Sequence, residues 1–188
     1  MRKDPLFSSL HFERRWKAFF KYVLMGKEKP LRVIVDYFAR IEYQNRGSPH
    51  LHIFLLVDNA PTLFHCSASE ITKYIDSVIS TTLPSKESDP ILHSLVQRLQ
   101  IHRHTNSCKR GNTYRFGFPK SPTTQTKLLS NVNITTSRGH FYETERSSND
   151  IFVNAYNPIL LKRWRANMDI QMVSGVHGLA YYVCSYVA

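Results

Sequence analysis

Residues 37–57, "YFARIEYQNRGSPHLHIFLLV", are the stretch that decides the fold. Its first part, "YFARIEYQ" (37–44), alternates between apolar and polar residues as a half-buried strand does. Its last part, "HLHIFLLV" (50–57), is a run of bulky apolar residues, and "NRGSP" (45–49) between them is a cluster of turn formers. Two strands joined by such a short turn predict an antiparallel β-hairpin.

Two histidines lie one residue apart at the start of the second strand. Because side chains alternate along a strand, His50 and His52 share a face, about 7 Å apart, where two imidazoles can chelate one cation. Pairing about the turn predicts Gln44 opposite His50 and Glu42 opposite His52, on that same face. Two histidines with Glu42 or Gln44 leave positions open for a substrate, as catalytic metal sites do. The alternative is that the histidines are ordinary polar residues near the start of a strand.

The rest of the chain predicts helices around this hairpin. An amphipathic helix over 9–25 precedes it, and the segment from residue 31 begins with either a short helix or the strand. The further predicted elements are helices over 67–84 and 89–102, short strands at "YRFGF" (114–118) and "HFYETER" (140–146), a short helix and a strand within 156–173, and a helix over 175–188. Together they predict one α+β domain over residues 1–188, with an antiparallel sheet flanked by helices.

Paired tyrosines occur near the end of the sequence, in "YYVCSY" (181–186). Tyr182 and Tyr186 are four residues apart and therefore share one face of a helix, whereas Tyr181 points elsewhere. A tyrosine phenolate can attack a phosphodiester and hold it as a phosphotyrosine ester, provided that a metal polarises the phosphate. The alternative is that these rings fill a core.

A basic-aromatic stretch, residues 102–120, carries a third set of candidate residues. His102, His104 and Cys108 have the ligand types of a zinc site, although the sequence shows no fourth ligand. Basic side chains that contact phosphates, together with aromatic rings that stack on bases, are typical of proteins that bind single-stranded nucleic acid. The residues predicted for that contact are Lys109, Arg110, Arg115, Phe116, Phe118 and Lys120. The alternative is a solvated loop with a few anchoring aromatic residues.

Composition narrows the class of partner. Lys and Arg outnumber Asp and Glu by 25 to 14, a formal net charge of +11, which favours a polyanion such as nucleic acid. No apolar run approaches the ~20 residues of a membrane span, so we expect no membrane contact. The 3 cysteines are scattered and odd in number, which favours a reducing, intracellular compartment.

These segments in this order resemble the N-terminal, helicase-like domain of Helitron-type transposases, which are HUH endonucleases. The resemblance covers nearly the whole chain, and the matching segments are "FERRWKAFFKYVL", "VDYFARIEYQNRGSPHLHIFLLV", "QIHRHTNSCKRGNTYRFGFPK", "VNAYNPILLKRWRANMDIQ" and "AYYVCSYV". It implies that His50 and His52 are the metal-binding pair, with Mg or Mn as the metal. It also implies that Tyr182 and Tyr186 nick and rejoin single-stranded DNA, on a fold similar to RNA-recognition motifs.

The sequence departs from that family in two places. Tyr114 stands where the family often has a second cysteine, so we expect weak zinc occupancy or none. The sequence ends two residues after Tyr186 and has no Gly-Lys-Ser/Thr phosphate loop, whereas a helicase follows this domain in full-length relatives. We therefore expect a C-terminally truncated domain without a helicase.

Three hypotheses follow from the sequence. The first is a nuclear, metal-dependent endonuclease and strand transferase of a rolling-circle transposon, acting on single-stranded DNA through a 5′-phosphotyrosine. The second is a single-strand-binding module that has lost catalysis. The third is a metal-dependent hydrolase that uses water while the tyrosines are structural. A covalent protein–DNA adduct separates them, since only the first forms one.

Overall fold

The computed structural model of the chain describes residues 4–43, 49–105, 108–110, 113–130 and 141–173. The chain divides into two compact units, residues 1–60 and residues 61–188. Within the described ranges, the helices are all too short or too polar to cross a membrane. The predicted α+β class is confirmed by four α-helices and by three two-stranded antiparallel sheets among these residues. The more specific HUH-like arrangement stays a prediction.

The first unit begins with helix α1, Pro5–Phe19. The Asp4 side chain caps it by accepting a hydrogen bond of 3.1 Å from the backbone N–H of Phe7. Pro5 occupies the first helical position, where a missing N–H costs nothing. The helix continues as a π-helical turn, Phe20–Leu24, so the predicted helix over 9–25 is confirmed and starts four residues earlier than expected.

A glycine ends this helical segment for a steric reason. A Cβ atom at Gly26 would lie 2.0 Å from the carbonyl oxygen of Tyr22, one turn back. Any side chain at this position would force the backbone to move. Glycine therefore fits this position, at the end of the helical segment, where a residue with a side chain would clash.

The hairpin consists of strands β1, Ile34–Tyr43, and β2, Pro49–Val57. They pair antiparallel from Tyr43 opposite Pro49 to Ile34 opposite Val57, with an irregularity between Ile34 and Asp36. The hairpin prediction is confirmed. The alternative of a short helix after residue 31 is wrong, since β1 already begins at Ile34, where two β-branched residues in succession favour the extended backbone.

The second unit is built from short elements. They are helices α2 (Ala68–Val78), α3 (Pro90–Leu99) and α4 (Pro158–Trp164), hairpin β3 (Lys109–Arg110) with β4 (Thr113–Tyr114), a 3₁₀ turn (Arg115–Gly117), and hairpin β5 (Lys127–Leu128) with β6 (Tyr142–Glu143). Ser67 and Glu70 form a capping box at the start of α2, as the sequence indicates.

Three predicted elements in this unit are corrected by the structure, and a fourth falls outside the described residues. Helix α2 ends at Val78 and not near residue 84, because the backbone of Ser80 exchanges hydrogen bonds of 2.7 and 2.9 Å with Tyr156. The predicted strand at 114–118 is a short strand followed by the 3₁₀ turn. Residues 165–173 form no strand. The predicted helix over 175–188 falls outside the described residues.

The core of the second unit lies between α3, α4 and the chain that precedes α4. Its buried residues are Leu92, Leu95, Val96, Val153, Tyr156 and Leu161. Two buried polar side chains hold this packing in register. Gln100 bonds both the N–H and the carbonyl of Met168, and the Asn157 amide donates to the Val78 carbonyl while capping α4. Both side-chain amides have hydrogen-bond partners for their nitrogen and their oxygen. Because an unpaired buried amide would be costly, these bonds specify one arrangement of the helices.

Leu161 tests this core. It is fully buried (0% exposed), so Leu161→Ala should lower the free energy of unfolding by about 2–5 kcal/mol through lost burial and a cavity. Ile159 on the same helix is 40% exposed, and Ile159→Ala should cost clearly less. Urea denaturation followed by circular dichroism measures both. Equal losses for the two variants would contradict this assignment of the core.

Candidate functional site

The hairpin places two of the predicted ligands in a different register from the one expected. Glu42 lies opposite His50, and Arg40 lies opposite His52. The predicted pairings of Gln44 with His50 and of Glu42 with His52 are wrong, because β1 ends at Tyr43, which pairs with Pro49. Gln44 itself lies outside the described residues. A shift of two residues preserves the face of every side chain, so Glu42 still shares the histidines' face.

Glu42, His50 and His52 come together on this face. The Nε2 atom of His52 lies 2.9 Å from Oε2 of Glu42, within hydrogen-bond distance. The rings of His50 and His52 have centroids 4.7 Å apart and meet edge to face at 65°. His52 is buried at 8% exposure, whereas the Glu42 side chain is 40% exposed. The group is therefore anchored on one side and open to solvent on the other.

Burial favours the neutral form of one of these imidazoles. Burial lowers the pKa of His50 below its ordinary value, the neighbouring His52 lowers it further, and Glu42 acts in the opposite direction. A neutral imidazole has a free ring-nitrogen lone pair, which is the form that binds a metal.

The donor types, and the spacing of one pair of ligand atoms, are compatible with a divalent cation. Two ligand atoms that are each about 2.1 Å from one ion and at right angles to each other lie about 3.0 Å apart. The separation of 2.9 Å between Nε2 of His52 and Oε2 of Glu42 is close to that value, and it is also the length of a direct hydrogen bond. Two imidazoles and a carboxylate suit Mn, Fe or Zn more than Mg, which prefers oxygen ligands throughout.

A second cluster lies in the other unit. The ligand atoms of His102, His104 and Cys108 are all within 4.8 Å of one another. Nε2 of His102 lies 3.1 Å from Sγ of Cys108, and the two histidine rings have centroids 5.1 Å apart. Burial lowers the pKa of His102, with smaller contributions in the same direction from His104 and Lys120. The structure thus gathers the three residues that the sequence proposed as zinc ligands.

The two predicted stacking rings have opposite environments. Phe118 is 5% exposed and lies flat against His102, with centroids 4.5 Å apart and planes 7° apart. It belongs to the interior, so the prediction that it stacks on a base is corrected. Phe116 is 66% exposed. Its backbone has φ of 65°, a left-handed conformation that costs a residue with a side chain about 1–2 kcal/mol.

The predicted cations of this stretch also differ. Lys109 is exposed in β3. Lys120 is half-buried, and its ammonium donates to the carbonyl of Phe116 at 2.9 Å and lies 5.2 Å from the Phe118 ring centroid. Burial accordingly lowers the pKa of Lys120. Arg110 and Arg115 lie in β3 and in the 3₁₀ turn.

The first 55 residues of the chain carry the match to a known family. A family model described as the Helitron helicase-like domain at the N-terminus matches residues 1–55. Glu42, His50 and His52 all lie inside it. The match indicates a Helitron-related function for this segment, as the resemblance implied. Among curated proteins no match is found.

Sequence reasoning missed one side chain of the Helitron-like segment. Arg40 is exposed and lies opposite His52, so its guanidinium leaves the strand on the face of the metal-ligand candidates. The sequence contained the signal for Arg40, because side chains two residues apart on a strand share a face and Arg40 is two residues from Glu42. The predicted tyrosines Tyr182 and Tyr186 lie outside the described residues, so their distance from the hairpin stays a prediction.

Phe116 provides a test of nucleic-acid contact in the second unit. If its exposed ring stacks on a base, Phe116→Ala should weaken binding of single-stranded DNA by about 1–3 kcal/mol. The salt dependence should stay the same, because its slope of about −0.7 per phosphate counts ionic contacts alone. Fluorescence anisotropy over a series of salt concentrations measures both quantities.

Phe64 is the matched control, since it lies in the same unit and is 80% exposed. Phe64→Ala should leave affinity unchanged. An affinity equal to wild type for Phe116→Ala would show that this ring does not stack on a base.

Proposed function

We propose that the protein is a metal-dependent endonuclease and strand transferase of the HUH type, acting on single-stranded DNA in Helitron transposition. The observation that carries this proposal is the meeting of Glu42, His50 and His52 on one face of the hairpin. They lie within the segment that matches the Helitron helicase-like domain. The exposed side of this group leaves room for a phosphate oxygen.

The hairpin residues would hold and orient the reacting groups. Glu42, His50 and His52 would bind Mn or Mg, and a bound divalent cation polarises a phosphate oxygen and stabilises the charge that develops on it. Gln44 is a further candidate ligand from the loop. Arg40, on the same face, would bind the adjoining phosphate and hold the strand in place.

Tyr182 or Tyr186 would supply the nucleophile. The phenol oxygen attacks phosphorus as its proton is lost, a tyrosine–phosphorus ester forms, and the bond from phosphorus to the 3′-oxygen breaks. The leaving oxygen takes up a proton and becomes a free 3′-hydroxyl. Because the ester conserves the bond energy, attack by a 3′-hydroxyl rejoins a strand without ATP. In this role the chain works in the nucleus beside a helicase domain.

A binding module without catalysis is the second candidate function. The net charge of +11, together with exposed Lys109 and Phe116 in one stretch, favours it. Such a module would bind single strands and form no covalent adduct. The decisive experiment incubates the chain with labelled single-stranded DNA and Mn, followed by a denaturing gel. A labelled band that survives boiling in detergent supports the endonuclease.

The metal ligands give the first variant test. The double variant His50→Ala, His52→Ala should lose the covalent adduct, because two of the proposed ligands are removed. It should still bind single-stranded DNA, since lysine and arginine make the phosphate contacts. His11→Ala is the control, since His11 is an exposed histidine of the same unit. Calorimetry that finds undiminished Mn binding in the double variant would disprove the assigned ligands.

The tyrosines give the second variant test. The double variant Tyr182→Phe, Tyr186→Phe removes both hydroxyls and keeps both rings, so it should form no adduct while it keeps its fold. Tyr181→Phe should react as wild type does, because Tyr181 lies on another face of the predicted helix. Retention of the adduct in the double variant would place the nucleophile elsewhere, and an adduct lost in Tyr181→Phe alone would do the same.

A further inference from the structure

We infer that His102, His104 and Cys108 bind a zinc ion in the second unit, separate from the catalytic metal proposed for the hairpin. Two imidazoles and one thiolate are the ligands that zinc prefers, and three protein ligands with one open position form a complete set for many zinc sites. The sequence predicted weak occupancy or none, because Tyr114 stands where the resembled family often has a second cysteine. The structure adds the closeness of the three ligand atoms, which all lie within 4.8 Å of one another.

The distances allow an ion with small movements. In a tetrahedral site with bonds of about 2.05 Å to nitrogen and about 2.3 Å to sulfur, the two ligand atoms lie about 3.5 Å apart. Nε2 of His102 and Sγ of Cys108 are 3.1 Å apart, so this pair would separate by about half an ångström to bind the ion. All the ligand atoms of the cluster lie within 4.8 Å of one another. His104 is exposed and can approach from the solvent side. Its exposure also provides the path by which an ion enters.

Contacts that do not involve the ligand atoms hold the cluster in place. The backbone N–H of His102 donates to the carbonyl of Phe152 at 2.8 Å, and that of Cys108 donates to Thr105 at 2.9 Å. The Phe118 ring stacks on one side of His102. The Tyr114 ring lies 3.9 Å from the ring of His104, centroid to centroid. Because these contacts position the ligands in advance, binding an ion orders few additional groups.

The position of the cluster suggests what the ion does. Cys108 directly precedes β3, and His102 lies against both Phe118 and Phe116, the latter at 6.2 Å between ring centroids. A zinc ion bound here ties the two ends of residues 102–108 together. It would therefore fix the base of the segment that presents Lys109 and Phe116 to solvent.

A metal-free alternative explains the closest contact equally well. A hydrogen bond between the His102 ring and the Cys108 thiol has the same separation of 3.1 Å. Cobalt(II) distinguishes the two, because thiolate coordination produces an intense charge-transfer absorption in the near ultraviolet. Glu42, His50 and His52 contain no sulfur and cannot produce that band.

The test uses the full chain carrying His50→Ala and His52→Ala, so that ions at the hairpin do not contribute. We expect one equivalent of zinc after purification with zinc and gel filtration, and a thiolate–cobalt band after exchange. Cys108→Ser should abolish the band and weaken zinc binding by at least the ~10–100-fold that loss of a supporting partner costs. Cys66→Ser, which changes another free cysteine of the same unit, should change neither.

A second variant tests the zinc site in case Cys108→Ser, which changes a buried residue, fails to fold. His104 is exposed, so His104→Gln should leave the fold intact while it weakens zinc binding. The inference is overturned if cobalt gives no thiolate band, or if Cys108→Ser and His104→Gln retain wild-type affinity for zinc. A DNA adduct formed by the wild-type chain despite either result would leave the endonuclease proposal standing, so the two proposals fail separately.

Discussion

The pairing of β1 with β2 is the constraint on which the first unit depends. Antiparallel pairing puts directly opposed residues on one face, and it is this rule that brings Glu42 to His50 and Arg40 to His52. A slip of one residue would send Glu42 to the opposite face, whereas the two-residue difference from the expected register leaves the face intact. The candidate ligands therefore keep a common face only when the register shifts by an even number of residues.

In the second unit, hydrogen bonds between short segments hold the chain together more than long helices or strands do. Residues 100–102 run antiparallel to residues 152–154, joined by hydrogen bonds from Asn154 to Gln100 and from His102 to Phe152. This pairing includes the core residue Val153 on one segment and the zinc-ligand candidate His102 on the other. Packing of the core and placement of the cluster are thus consequences of one short backbone pairing, although no sheet of more than two strands occurs in the described part of the chain.

The two proposed metal centres differ in chemistry as well as in place. Glu42, His50 and His52 form a set of nitrogen and oxygen donors with an exposed carboxylate, which suits a harder, exchangeable ion beside a phosphate. The other cluster contains a buried thiol, Cys108, 6% exposed, which suits the softer zinc ion. The first centre would act on the DNA, and the second would hold the surface that binds it. The family match covers the first centre alone.

The sequence by itself determined the local features. Alternation of residue type predicted the hairpin and the shared face of Glu42, His50 and His52. The cap at Ser67 agrees with the helix start that the sequence indicated, because a cap depends on residues only three positions apart.

The tertiary structure decided everything that depends on residues far apart in sequence. It fixed the hairpin register, which lies two residues from the expected one, and it ended α2 early through the pairing of Ser80 with Tyr156. It also separated two similar phenylalanines, burying Phe118 against His102 and leaving Phe116 in solvent. Such choices follow from which partners a side chain meets after folding, and periodicity along one stretch contains no information about those partners.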